Sequence, residues 1–310
     1  MAESGREAVS IFAVIVLYRI KPGDSATFRT LVPQAEAFAG AGNRMEILLY
    51  DNSPEGGDPG PLPGNVGYEA PRRNAGLAPA YNRGLAKAGE EGCDWLLTLD
   101  DDTTLPEDFL SRIAVAARRW QHDRSVAAIA PQLKAGEVLL SPIRVRPVHN
   151  VAVQLGFTGL NDGEIFALNS ACLLRVSAIA ELGGFPRQFW MNYLDVCLHH
   201  LLYRAGKRVY VAGDIQVEHK LSLLDYRNLS PTRYGWFLEA ESAFFDLHKG
   251  HFAGAVLTAT LMIRYLRHWV RRDSRELRRE TARMLQQRLA VSREARIARW
   301  NAALEERYAQ

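Results

Sequence analysis

Three consecutive aspartates, Asp100-Asp101-Asp102, follow directly on an apolar run at 94–99. Like charges crowded together repel unless a cation offsets them. A hard divalent ion shared between carboxylate and phosphate oxygens is the usual remedy. The plainer alternative is an acidic turn capping a helix that starts near Pro106. A second acid, Asp51, ends the run 45–50 and is followed by Asn52 and Ser53. It could accept hydrogen bonds from a nucleobase N–H or from ribose, but the same residue types also bond their own backbone in ordinary turns. Between these acids lie Arg73-Asn74-Ala75-Gly76 and Tyr81-Asn82-Arg83-Gly84. Asn74 offers a donor and an acceptor, and Gly76 lets backbone approach closely. Asn74 as a helix N-cap is compatible with either role. Asp195 follows an aromatic group, Phe189, Trp190 and Tyr193. A carboxylate beside rings suits a sugar that stacks and gives up a hydroxyl proton. An acid in the first turn of a helix also suits the helix dipole. His219 closes a short strand, either as a metal contact or as an ordinary core or surface histidine.

The elements that must hold these residues alternate. Residues 11–17 (IFAVIVL) are continuously apolar and β-branched, as in a strand buried on both faces. A helix is expected over 24–39, a strand over 45–50, a Gly/Pro-rich loop over 55–64, and a helix over 75–89 with Pro79 in its first turn. A strand follows at 94–99, a helix at 106–120 and a strand at 126–130. Such alternation implies a parallel sheet covered by helices, with ligands at the carboxyl ends of its strands. Asp51 and Asp100 stand at two such ends. Residues 134–163 read as irregular, 165–174 as a strand, 177–182 as a short helix, and Gly183-Gly184-Phe185-Pro186 as a turn. A helix over 193–205 and short strands at 208–211 and 217–219 complete this part. Beyond 224 the pattern is helical. Leu266, Trp269, Val270, Leu277, Met284, Leu285 and Leu289 form an apolar stripe among arginines, continued by Ile297, Trp300 and Leu304.

The 310 residues suffice for one large α/β domain and a smaller appendage. Three cysteines match neither a zinc site nor a disulfide framework, which suggests a reducing, cytoplasmic setting. The first apolar run is too short for a signal core. The longest later run, 252–263, has 12 residues where a membrane span needs about 20. The net charge of +3 is uneven: residues 264–299 hold 12 arginines against 4 acids. This basic tail reads as helices packed on the main domain, as a dimerisation element, or as a peripheral contact with anionic membrane. Nucleic acid is not expected, because no recognition module accompanies the charge. A dinucleotide-binding oxidoreductase is excluded: Tyr18-Arg19-Ile20-Lys21 follows the first strand in place of G-x-G-x-x-G.

The order Tyr50-Asp51-Asn52-Ser53, then residues 73–84 (RNAGLAPAYNRG), Leu99-Asp100-Asp101-Asp102, Gly183-Gly184-Phe185, Asp195 and His219 resembles family 2 glycosyltransferases, and within them the rhamnosyltransferase-like branch. The resemblance spans about 9–222. It implies a GT-A-type α/β fold, a mostly parallel sheet flanked by helices, with a C-terminal helical extension. The catalytic domain would occupy 1–222, with a nucleotide-sugar half at about 9–130 and an acceptor half at 131–222; the basic extension would occupy 223–310. The implied activity is inverting transfer of a hexosyl or deoxyhexosyl group, first of all rhamnose from dTDP-rhamnose, to a hydroxyl of a glycan or lipid-linked acceptor. By position, Asp51, Arg73, Asn74, Asn82, Asp100 and Asp101 would bind the nucleotide sugar. Asp102 and His219 would hold Mg²⁺ or Mn²⁺, Asp195 would be the general base, and Trp190 and Tyr193 would meet the acceptor. The branch departs here at Asn192, Cys197 and Leu201, where it often has acids and an arginine. Those changes keep open an alternative, a catalytically degenerate sugar-nucleotide-binding or scaffold protein.

Overall fold

The computed structural model describes residues 7–146, 150–219 and 230–309. They form two compact units. Among these residues, the first takes in 7–146, 150–187 and 198–219, and the second 188–197 and 230–309. The expected domain boundary at 222/223 lies outside the described residues. Residues 188–197, expected in the catalytic domain, group with the C-terminal helices.

The first unit is built on a sheet whose opening strand, β1 (Ser10–Leu17), is buried almost throughout. A 3₁₀ turn at Pro22–Asp24 leads into α1 (Ala26–Gly40), capped by the Ser25 hydroxyl, which accepts from the Phe28 N–H. Next come β2 (Arg44–Asp51), β3 (Val66–Glu69), α2 (Leu77–Glu90), β4 (Trp95–Asp100), α3 (Phe109–Arg119) and β5 (Val126–Ala135). Strands β1 to β4 run parallel, in the order β3-β2-β1-β4. Alternation along β1 divides its two faces. Ile11, Ala13, Ile15 and Leu17 enter one core with Leu31 and Phe38 of α1 and Phe109 and Ile113 of α3. Val14, of opposite parity, meets α2. A Cβ at Gly84 would lie 2.0 Å from Val14 Cγ2, so only glycine lets the α2 backbone come this close.

The segment 134–163, expected to be irregular, contains β6 (Val138–Ser141), β7 (Ile143–Arg144), β8 (Val151–Ala152) and β9 (Thr158–Asn161). The expected strand at 165–174 is two pieces, β10 (Ile165–Phe166) and β11 (Cys172–Arg175), followed by α4 (Val176–Glu181), α5 (Leu194–Arg204) and β12 (Arg208–Glu218). The two short strands expected at 208–211 and 217–219 are one, with an irregularity between Ala212 and Gln216. Strand β11 is inserted antiparallel between β4 and β5, giving the order β3-β2-β1-β4-β11-β5-β12-β9. The sheet is therefore mixed at its centre. Strands β10, β7 and β8 make a second, small sheet.

In the second unit four helices, α6 (Pro231–His248), α7 (His251–Val270), α8 (Arg275–Ala290) and α9 (Arg293–Ala309), follow one another. Tyr234, Leu238, Leu257, Leu261, Leu277 and Met284 form their core. The apolar stripe expected across 266–289 splits: Leu277 and Met284 are buried, but Leu266, Trp269, Val270 and Leu289 are exposed. The phase of one helix does not carry into the next, because Arg272 turns the chain at φ 55 between α7 and α8. Several buried polar groups here are paired. The Tyr234 hydroxyl bonds His268 and Thr281, His268 Nδ1 sits 2.7 Å from Asp273, and Arg288 and Arg296 close on Asp246.

Candidate active site

The parallel register puts two acids at neighbouring strand ends. Leu17 of β1 pairs with Asp51 of β2, and Val16 with Asp100 of β4. Asp51 is buried; its Oδ1 accepts from the Ser53 N–H at 2.8 Å and its Oδ2 from the Tyr68 hydroxyl at 2.6 Å. Burial and that carboxylate push the Tyr68 phenol up to about 12, so it stays a donor. Asn52 donates to the Gly76 carbonyl at 3.0 Å, while its Oδ1 is buried without a partner. A buried acceptor left unpaired is costly, and such atoms call for an explanation.

The three aspartates diverge. Asp101 Oδ2 accepts from the Tyr18 N–H at 3.3 Å, and burial pushes its carboxyl up to about 6. Asp100 Oδ1 accepts from the Tyr81 hydroxyl at 3.3 Å. Burial raises its pKa, with His219 opposing and Asp102 reinforcing the shift. Asp102 faces His219, with Oδ1 3.7 Å from Nδ1. One ligand atom from each of Asp100, Asp102 and His219 lies within 4.8 Å of the others. Thus Asp100, expected on ribose or sugar, joins the expected metal pair. Two carboxylates and an imidazole suit a divalent cation.

The turn is held from behind. Buried Thr27 of α1 donates to the Asp100 carbonyl and accepts from the Thr103 N–H at 3.0 Å. Thr103 Oγ1 shares a 3.1 Å hydrogen bond with His219 Nδ1. The Thr104 N–H donates to the Glu218 carbonyl at 3.1 Å, and the His219 N–H to Lys134 at 2.9 Å. His219 is thereby fixed by the end of β12.

Around α2, two of the expected donor contacts, Asn74 and Asn82, also bond within the chain. Gly76, at φ 81, is the N-cap, and Asn74 is not: its Oδ1 accepts from the Gly76 N–H at 3.2 Å. Arg73 is exposed. Asn82 bonds the Phe185 N–H and carbonyl with its two side-chain ends, at 2.8 and 3.0 Å. It staples α2 to the glycine turn, where a Cβ on Gly184, at φ 99, would fall 2.4 Å from its Oδ1.

Asp195, Trp190 and Tyr193 belong to the second unit. Asp195 stands in the first turn of α5, with Oδ1 accepting from the Val196 N–H at 2.8 Å. Tyr193 has φ 65, its ring packed by Phe237 and Phe244 and its hydroxyl 3.2 Å from Glu241, which Arg264 holds with both guanidinium ends. Burial raises the Tyr193 phenol well above its usual value. Trp190 is buried against Trp236 and Arg307. Both rings already have packing partners, so neither is an open platform. Burial likewise pushes the Cys197 thiol up to about 12, which leaves it a neutral thiol and no substitute for an acid.

Tyr68, Tyr81, Thr27, Thr103 and the orphaned Asn52 oxygen are the functional features that sequence reasoning missed. Asn52, between Asp51 and Ser53, and Tyr81, in the motif at 81–84, stood in motifs read from the sequence, without these roles.

A largely parallel sheet with acids at adjacent strand ends and a carboxylate–imidazole cluster beside them defines a GT-A-type domain. Residues 41–182 match the model of Glycosyl transferase family 2. An N-acetylglucosaminyl-diphospho-decaprenol L-rhamnosyltransferase of Mycobacterium tuberculosis is 27% identical over 205 residues, covering 57% of this chain and 67% of that protein. Among solved structures, GalNAc-T7 with UDP, GalNAc and Mn²⁺ superposes with a TM-score of 0.57 at 15% identity, covering 82% of this chain. This chain spans 51% of GalNAc-T7, about half its length. TarS 1–349 of S. aureus in complex with UDP-GlcNAc gives 0.51 at 11% identity, covering 97% of this chain and 89% of that one. Residues 41–182 are thus similar to family 2 glycosyltransferases, and the chain resembles the rhamnosyltransferase-like branch. Among the described residues, no helix is long and apolar enough to cross a membrane.

Proposed function

We propose that this chain transfers a sugar, with inversion, from a nucleoside-diphosphate donor to an acceptor hydroxyl. The observation that carries the reading is the convergence of Asp100, Asp102 and His219 beside the strand end that bears Asp51. Asp51 and the unpaired Asn52 oxygen would accept from the base and ribose, with Tyr68 holding Asp51 in place. Arg73, Asn74, Asn82 and Asp101 would complete the donor contacts. Asp102, His219 and Asp100 would hold Mg²⁺ or Mn²⁺, which would neutralise charge building on the departing diphosphate. GalNAc-T7, of the same fold, is described with Mn²⁺ and UDP, which supports this choice. Asp195 would take the proton of the attacking hydroxyl. The likeness to a rhamnosyltransferase acting on a diphospho-decaprenol acceptor makes dTDP-rhamnose and a lipid-linked or glycan acceptor the first to try.

The test is a panel of dTDP-, UDP- and GDP-sugars offered to the purified chain with Mg²⁺, with Mn²⁺, or with a chelator. Release of nucleoside diphosphate or binding of one donor, lost on chelation, is the expected result. Failure of every donor to bind would remove the reading.

A further inference from the structure

Helix α7 buries one face and leaves the other bare. Leu257, Leu261 and His268 point into the helical core. On the opposite side Phe252, Met262, Ile263, Leu266, Trp269 and Val270 are 75, 47, 52, 56, 57 and 84% exposed. Their spacing follows the helical period, so they form one stripe along a 20-residue helix. Contiguous exposed apolar surface marks a binding face.

Charge says what covers it. No aspartate or glutamate occurs between His251 and Val270. Arg267, Arg271, Arg272 and Arg275 are exposed at the Trp269 end, and the Arg278 guanidinium lies 4.3 Å from the Trp269 ring centre. Of the nearest acids, Asp273 is buried against His268 and Glu276 lies exposed beside Arg275, so the arginines stay in excess. An apolar stripe ending in tryptophan and arginines matches a bilayer boundary. There the stripe enters the acyl edge, and guanidinium groups reach lipid phosphates. A second copy fits worse, because a two-fold contact would bring these arginine-rich ends together with only Glu276 exposed between them.

We propose that the outward face of α7 docks on an anionic bilayer, lying in its surface. The proposal is independent of the sugar chemistry. The full chain should sediment with vesicles of phosphatidylcholine plus phosphatidylglycerol, weakly with phosphatidylcholine alone, and less as salt rises. Leu266→Glu with Trp269→Glu should lower vesicle binding by about tenfold or more. Arg271→Glu with Arg272→Glu should abolish the preference for phosphatidylglycerol. These side chains are exposed, so circular dichroism should keep the parent's helical signal. No sedimentation of the parent, or equal sedimentation of all three proteins, would overturn the proposal. A dimer in light scattering that Trp269→Glu dissociates would give the face to a second copy instead.

Discussion

Asp100 and Asp102 are adjacent in kind but not in role, and the difference is one of neighbours. Asp102 is the more accessible and faces His219 directly; Asp100 is pinned by Tyr81 at the strand end. Asp102→Ala should therefore weaken nucleoside-diphosphate binding by about 10–100-fold, the scale of a lost charged contact. It should also erase the effect of a chelator; calorimetry with and without the chelator measures both. Asp195→Asn keeps shape and removes basicity. Donor affinity should stay at the parent value while transfer slows about 10²–10⁴-fold in single-turnover assays; near-full activity would place the base elsewhere. The strand-end acids were legible because they end apolar runs. The orphaned Asn52 oxygen was not, since an unpaired atom exists only once its surroundings do. Nor were the packed rings of Trp190 and Tyr193, whose partners come from residues 236–307, far along the chain.

At the scale of elements, continuous apolar runs were readable and short or interrupted ones were not. Strand β3 is four residues with Gly67 inside it, directly after a Gly/Pro-rich loop, so nothing in its composition announces a strand. Strand β12 was read as two because Gly213 and Asp214 break its apolar run at the irregularity. The antiparallel insertion of β11 is a matter of topology, invisible to periodicity. The α2–β1 contact gives a test at this scale. Gly84→Ala puts a methyl group against Val14 and should cost about 1–3 kcal/mol, as overpacking does. Adding Val14→Ala should return part of that loss, read from the melting temperatures of the two single variants and the double.

Over the whole molecule, the helical unit carries the basic excess, and that charge is partly structural. Asp246, buried among Arg288 and Arg296, offsets two of the arginines. Asp246→Ala would strand those cations and should destabilise the unit by about 3–5 kcal/mol. Replacing exposed Arg279 by Ala should change stability little, within about 0.5 kcal/mol. Denaturant titration followed by circular dichroism compares the two.

The cluster at Asp100, Asp102 and His219 joins the middle of the first unit's sequence to its end: Thr103 and its partner His219 are 116 positions apart. On a ribosome adding about 5–20 residues each second, the acidic turn is made roughly 6–23 s before its histidine. In that interval β11 and β12 are still to be threaded into the middle and far side of the sheet. The nascent chain thus has three carboxylates without the imidazole that completes the cluster. If the cluster holds the donor's cation as proposed, that competence arrives late, with the docking of β12.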